Sequence, residues 1–170
     1  LQKIVSKYGN PKESRDKRYT IFFLLNYLEG ESNLKVEVNK REKYRLRYSL
    51  KSFYGTDVLV PSQEDLFSSK LAAALNRGKL AMRDFYDIWF YLKKGVKPNI
   101  TLVEGLVGTG FEEYLGDLQN FIEENITSRN VLQGLGDVLD ERLKREVKAN
   151  LKEDLLNRVK FLTDGLGEEL

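Results

Sequence analysis

Residues 61–94 read PSQEDLFSSKLAAALNRGKLAMRDFYDIWFYLKK, and how this stretch is parsed decides the fold. Pro61 can close a preceding strand, Ser62 can cap the orphan amides of a helix start, and Asp65 stands three residues on, in the place of a capping-box acid. Leu66, Phe67, Leu71, Ala74 and Leu75 then recur with a helical period, a stripe about 100° wide. Lys70 falls at the edge of that stripe, and Arg77 lies almost on the same line, about 10 Å further along the axis. Gly78 is expected to interrupt the helix. A second helix is expected from about Lys79 or Leu80 to Lys94, ended by Gly95, with Ala81, Phe85, Ile88, Trp89 and Leu92 on its apolar face and Phe90 and Tyr91 on its flanks. Asp84 sits beside that face, and Arg83 and Asp87 are four residues apart, a spacing at which they can pair. The two helices thus aim cations and carboxylates at the margin of an apolar core, where charges need to be paired or used because unpaired burial is costly. The plainer alternatives are a lysine stem snorkelling along apolar surface and an ordinary surface salt bridge on the second helix.

Upstream, Tyr19 to Tyr27 (YTIFFLLNY) is rich in strand-forming residues and runs into Glu29, Gly30, Glu31, Ser32 and Asn33, so it reads as one arm of a hairpin. The other arm is Leu34 to Asn39, with Leu34, Val36 and Val38 expected to face the core and Lys35, Glu37 and Asn39 the other way. Residues 1–18 read as a helix end or a loop, broken by Tyr8, Gly9, Asn10 and Pro11. The basic run KREKYRLRYSLKS (40–52) is either an edge strand or an extended arm; Arg41, Lys43, Arg45 and Arg47 with the interleaved tyrosines have the composition of a nucleic-acid surface. Gly55 makes a turn into Thr56 to Val60, a short strand.

Downstream, Thr101 and Glu104 fit a capping box, and a helix is expected over about Gly110 to Glu124 with Phe111, Tyr114, Leu115, Leu118, Phe121 and Ile122 inward. The glycines of GLVGTG lack the lysine and hydroxyl of a phosphate loop and read as a loop with a helix cap. Asn130 to Leu139 is open between loop and helix. A helix broken once is expected from about Val138 to Leu162, with Leu139, Leu143, Val147, Leu151, Leu155, Val159 and Leu162 at threes and fours, and the final DGLGEEL is expected to fray.

Composition narrows the chemistry. The 170 residues contain neither cysteine nor histidine, so disulfides, thiolate metal sites, ordinary zinc sites and histidine-based triads are excluded. Carboxylate, lysine, arginine and hydroxyl remain, a set suited to magnesium and phosphate. The net charge of +2 is uneven: residues 1–60 carry 13 basic and 7 acidic side chains, 61–98 carry 7 and 4, and 99–170 carry 8 and 15. A basic front can attract phosphate or nucleic acid. No long apolar run and no signal-peptide pattern occur, so a cytoplasmic protein without a membrane partner is expected. The opening Leu1 suggests a piece of a longer chain.

The segment KLAAALNRGKLAMRDFYDIWFYL (70–92) resembles a helical motif of the AbiEii/AbiGii toxin family, nucleotidyltransferases of type IV toxin-antitoxin and abortive-infection systems. The family pattern of a lysine, a nearby arginine, then Arg-Asp and a second Asp falls on Lys70, Arg77, Arg83, Asp84 and Asp87. LKVEVNKRE (34–42) resembles the family's acidic strand and basic turn, which places Glu37 at the acidic position and Arg41 after it. The glycine and serine or threonine motif and the paired aspartates that normally precede these segments do not occur in the 170 residues, so the chain resembles the later part of such an enzyme.

The resemblance implies an α+β fold: an incomplete polymerase-beta-like sheet of mostly antiparallel short strands (1–60, with a basic hairpin), followed by a helical bundle (61–170) carrying the Lys/Arg-Asp motif. It implies transfer of a nucleoside monophosphate from a nucleoside triphosphate to an RNA or protein hydroxyl, with Mg2+ in the intact fold. The catalytic set would be Glu37, Lys70, Asp84 and Asp87, with Glu37 as the metal acid and Lys70, Arg77 and Arg83 binding nucleotide. Implied partners are a nucleoside triphosphate, tRNA or another RNA, and a cognate antitoxin; the isolated chain is expected to be inactive and to hold no cofactor. The competing readings are a non-catalytic module that binds RNA or protein through Arg41, Lys43, Arg45 and Arg47, and a helical scaffold that docks through its acidic C-terminal surface.

Overall fold

The apolar strand TIFFLLN becomes the middle of a three-stranded antiparallel sheet in the computed structural model, which describes residues 2–26, 30, 33–40, 46–77 and 79–166, with side chains to residue 163. The chain forms two compact units, Leu1–Arg45 and Leu46–Leu170.

In the first unit a short helix α1 (Gln2–Val5) precedes β1 (Asn10–Asp16), β2 (Thr20–Asn26) and β3 (Leu34–Asn39), in the spatial order β1-β2-β3. The expected hairpin is β2–β3: Ile21 pairs with Val38, Phe23 with Val36 and Leu25 with Leu34. Phe23 and Leu25 are buried together with Val5, and Ile21 and Val36 pack against them; Leu34, expected to face the core, is instead 45% exposed at the start of its strand, where the small core does not reach it. The strand β1 lies where the sequence reads as a helix end or loop. Its residues, NPKESRD, are almost all exposed and have no apolar alternation; they are held by the backbone ladder to β2. Pro11 is tolerated there because β1 is an edge strand, and the register shifts between Pro11 and Glu13.

The second unit begins with the antiparallel hairpin of β4 (Tyr48–Phe53) and β5 (Thr56–Pro61). Its two-residue turn places both Tyr54 (φ 48°) and Gly55 (φ 77°) in the left-handed region, the combination whose twist suits a tight hairpin. Leu50 and Leu59 face each other across the strands, and both are largely exposed, as are Tyr48 and Phe53. Among the described residues five helices follow: α2 (Gln63–Asn76), α3 (Met82–Lys93), α4 (Ile100–Val107), α5 (Phe111–Asn125) and α6 (Glu141–Leu166). Their inward faces make one core, in which Phe67 and Leu71 of α2, Phe85 and Ile88 of α3, Leu115 and Leu118 of α5, and Val147, Leu151, Leu155 and Val159 of α6 are fully buried. The architecture is α+β, short antiparallel sheets followed by helices, as the sequence implies. No helix among the described residues is long and apolar enough to cross a membrane.

Several boundaries differ from the sequence reading. Helix α3 starts at Met82 rather than near Lys79, behind an extended Ala81 that offers no side-chain cap. A separate helix α4 is capped by Asn99, whose Oδ1 accepts from Leu102 N–H at 3.3 Å, and Glu104 caps the next helix instead, accepting from Phe111 N–H at 3.0 Å. Helix α6 runs unbroken for 26 residues, because its buried positions keep one period from Val147 to Val159. Residues 167–170, which include part of the expected frayed end, lie outside the described residues, as does Gly78.

Candidate active site at the helix pair

Helix α2 carries Lys70 at the edge of its buried stripe, where Leu71 and Phe67 anchor the backbone while the lysine stem stays about a third exposed. The chain leaves α2 at Arg77, which is extended (φ −93°, ψ 129°), and returns as α3, whose first turn contains Asp84. Burial of Met82, Phe85 and Ile88 fixes the rotation of α3 and so turns Asp84 and Asp87 toward α2. Lys70 Nζ lies 2.6 Å from Asp87 Oδ2 and 3.6 Å from Asp84 Oδ1, and Arg77 Nε lies 3.0 Å from Asp84 Oδ2.

Four of the five motif charges therefore meet in one cluster, and they differ in their access to solvent. The Asp84 side chain is 3% exposed, that of Asp87 27%, Lys70 35% and Arg77 58%. Asp84 Oδ2 makes no aligned hydrogen bond despite its closeness to Arg77, so it is a buried carboxylate oxygen held by charge alone. The expected Arg83–Asp87 pair is not formed: Arg83 is exposed and meets no acid among the described residues, because Asp87 turns inward to Lys70 on the neighbouring helix. Tyr91, one turn beyond Asp87, stacks on Phe67 with ring centroids 5.4 Å apart; burial first and Asp87 second push its phenol pKa upward.

Glu37 belongs to the first unit. It sits on β3 opposite Phe22, half exposed, with its carboxylate 3.0 Å from Lys35 Nζ. Among the described residues no group of three or more acidic side chains is placed to hold a metal ion. Within the helical unit the Asp84 carboxylate is enclosed by Arg77 and Lys70, and within the first unit Glu37 faces Lys35.

Of the basic run, Arg41, Lys43 and Arg45 lie outside the described residues, and Arg47 is committed to a carboxylate. Its backbone N–H donates to Asp65 Oδ2 at 2.6 Å, and its guanidinium donates to Asp65 Oδ1 at 2.9 Å through one terminal nitrogen and at 3.2 Å through Nε. Asn99 Nδ2 adds a further donor to the same carboxylate at 2.9 Å. These contacts hold the Asp65 carboxyl down at about 2, the Arg47 hydrogen bond outweighing the upward push of burial. The capping box expected around Ser62 is thus half made: Ser62 Oγ accepts from Asp65 N–H at 3.2 Å, but the acid turns away to Arg47, and Ser62 N–H donates to the Arg47 carbonyl instead. The Arg47–Asp65 junction was not legible in the sequence, since the two residues are 18 apart and each has an ordinary local explanation.

The chain is α+β with short antiparallel strands, and its helix pair presents two cations and two carboxylates at one seam. The chain belongs to the AbiEii nucleotidyl transferase toxin family of type IV TA systems, whose model matches residues 4–161. It is also similar to a crystal structure of a candidate nucleotidyltransferase from H. pylori, at 17% identity and a TM-score of 0.54, over 95% of this chain and 67% of that one. That likeness supports the fold. No curated protein matches the chain.

Proposed function

We propose that this chain carries the nucleotide-phosphate-binding part of a toxin that transfers a nucleoside monophosphate from a nucleoside triphosphate to a hydroxyl of RNA or protein. The observation that carries the reading is the cluster itself: Lys70 and Arg77 both present partly exposed cationic groups, and both are fixed from behind by the buried Asp84. An ammonium and a guanidinium held without freedom to wander suit the triphosphate of a nucleotide, and pre-fixed charge can stabilise the phosphoryl group as charge moves onto the leaving pyrophosphate. Arg83 and Lys79 are exposed at the same α2–α3 connection and extend the positive surface. Asp84 is the buried acid that anchors the cations, and Asp87 is the more accessible of the two carboxylates.

In the intact family fold the metal chemistry would be supplied by Mg2+ held on carboxylates other than this pair, with Glu37 the nearest match by resemblance. The chain by itself is then expected to be inactive, and an antitoxin protein and an RNA acceptor such as tRNA are its expected partners in the cytoplasm. Incorporation of labelled nucleoside triphosphate into RNA and protein by the complete natural gene product, compared with its Lys70→Ala variant, tests the reading. Equal incorporation by the two would remove Lys70 from the chemistry.

A further inference from the structure

The cluster is charge-balanced before any ligand arrives: Lys70 and Arg77 bring two positive charges, Asp84 and Asp87 two negative ones. The two carboxylates are not equivalent. Asp84 is buried, lies against Arg77 and stands 3.6 Å from Lys70, so releasing it would leave an uncompensated charge in the core. Asp87 is partly exposed, and among the described residues its ion pair is with Lys70 alone, at 2.6 Å. A pair that keeps this access to water is screened, so its carboxylate can be exchanged for another anion. Its carboxylate oxygen occupies the place beside Nζ that a phosphate oxygen would take, because an ammonium offers its donors to either at the same distance.

We infer that Asp87 is an internal competitor for the nucleotide phosphates. Its carboxylate holds Lys70 in position while the site is empty and must give way when a phosphate binds, whereas Asp84 keeps Lys70 and Arg77 in place in both states. The inference rests on the reading of Lys70 as a phosphate-binding residue. It makes Asp87 a positioning residue that sets affinity, and it separates two acids that the sequence alone treats as a matched pair. Replacing Asp87 by Asn changes the charge of the cluster from 0 to +1 while keeping the side-chain shape.

The test is calorimetric binding of inorganic tripolyphosphate, with EDTA present and ionic strength fixed, to the full chain and to its Asp87→Asn, Asp84→Asn and Lys70→Ala variants. The absence of divalent metal prevents any loss of a metal ligand from masking the effect. Asp87→Asn is expected to tighten binding about three- to tenfold, Asp84→Asn to weaken it, and Lys70→Ala to weaken it most. Should Asp84→Asn fail to fold, the partly exposed Asp87 position still decides the matter. Unchanged or weaker binding by Asp87→Asn alongside a loss in Lys70→Ala would overturn the competitor role and leave the phosphate reading standing. Wild-type affinity in Lys70→Ala would instead overturn the phosphate reading itself. Binding undetectable in both the wild type and Asp87→Asn would also count against the inference.

Discussion

Removing the Asp65 carboxylate should cost the helical unit several hydrogen bonds at once. Asp65 is 1% exposed and accepts from the Arg47 backbone N–H, the Arg47 guanidinium and the Asn99 amide at once. Its pKa falls from 3.8 to about 2, which by linkage corresponds to roughly 2 kcal/mol; because the Arg47 side chain is 61% exposed and can turn to water, about 1–2 kcal/mol is the better figure. Asp65→Asn keeps an oxygen for the Arg47 N–H and should cost about that much. Asp65→Ala also strands the N–H and the Asn99 amide, adding about 1–2 kcal/mol. For a chain of this size the alanine variant should melt roughly 5–10 °C lower. Trp89, the sole tryptophan, is 3% exposed in the helical core and reports this transition by its fluorescence. The pH dependence has a definite sign. A carboxyl depressed in the folded state stabilises it fully above the unfolded value of 3.8 and loses that contribution as pH falls through about 2, so the wild-type advantage over Asp65→Asn should be constant above pH 5 and shrink below pH 4. Melting temperatures within 2 °C of wild type for both variants would refute the assignment of this junction as a structural anchor.

Further expectations follow from the core. Leu151 is fully buried on α6, so Leu151→Ala should destabilise by about 3 kcal/mol in urea unfolding followed by Trp89 fluorescence, through lost burial and the cavity left behind. Tyr114 is buried and its hydroxyl donates to the Leu71 carbonyl, so Tyr114→Phe should cost about 1 kcal/mol in the same assay. Asp154 accepts from Trp89 Nε1–H at 2.7 Å and from Arg158 Nε at 2.9 Å, and burial, which alone would raise its pKa, is outweighed by these donors. Asp154→Ala should therefore cost about 1–2 kcal/mol and red-shift the Trp89 emission as the indole N–H turns to water.

What could be read beforehand was what periodicity encodes. Strand β2 is an apolar run, and β3, the helix pair, α5 and α6 carry apolar repeats that match the geometry they adopt; the buried faces of the helices are those the spacing marks, whereas on β3 Leu34 of the expected inward face is exposed. The polar edge strand β1 carries no such repeat; its structure comes from backbone bonds to β2, to which any side chains would do. The candidate site was half legible. The positions of Lys70, Arg77, Asp84 and Asp87 beside apolar stripes showed that the charges approach the core, but which cation meets which carboxylate depends on the rotation and separation of two helices. Local spacing pointed to Arg83–Asp87, and packing chose Lys70–Asp87. Arg47 illustrates the same limit: its basic neighbourhood suggested nucleic acid, whereas its guanidinium closes on a buried acid 18 residues away.

We propose that the Lys70 cluster handles phosphate rather than serving as a structural ion pair. The most direct measurement is nucleotide transfer from a labelled nucleoside triphosphate by the complete gene product carrying Lys70→Met, taken together with its melting temperature. Transfer reduced on the order of 100-fold, about 2.7 kcal/mol of transition-state stabilisation, with melting within a few degrees of wild type, is the predicted result. Undiminished transfer, or a loss matched by unfolding, would contradict it.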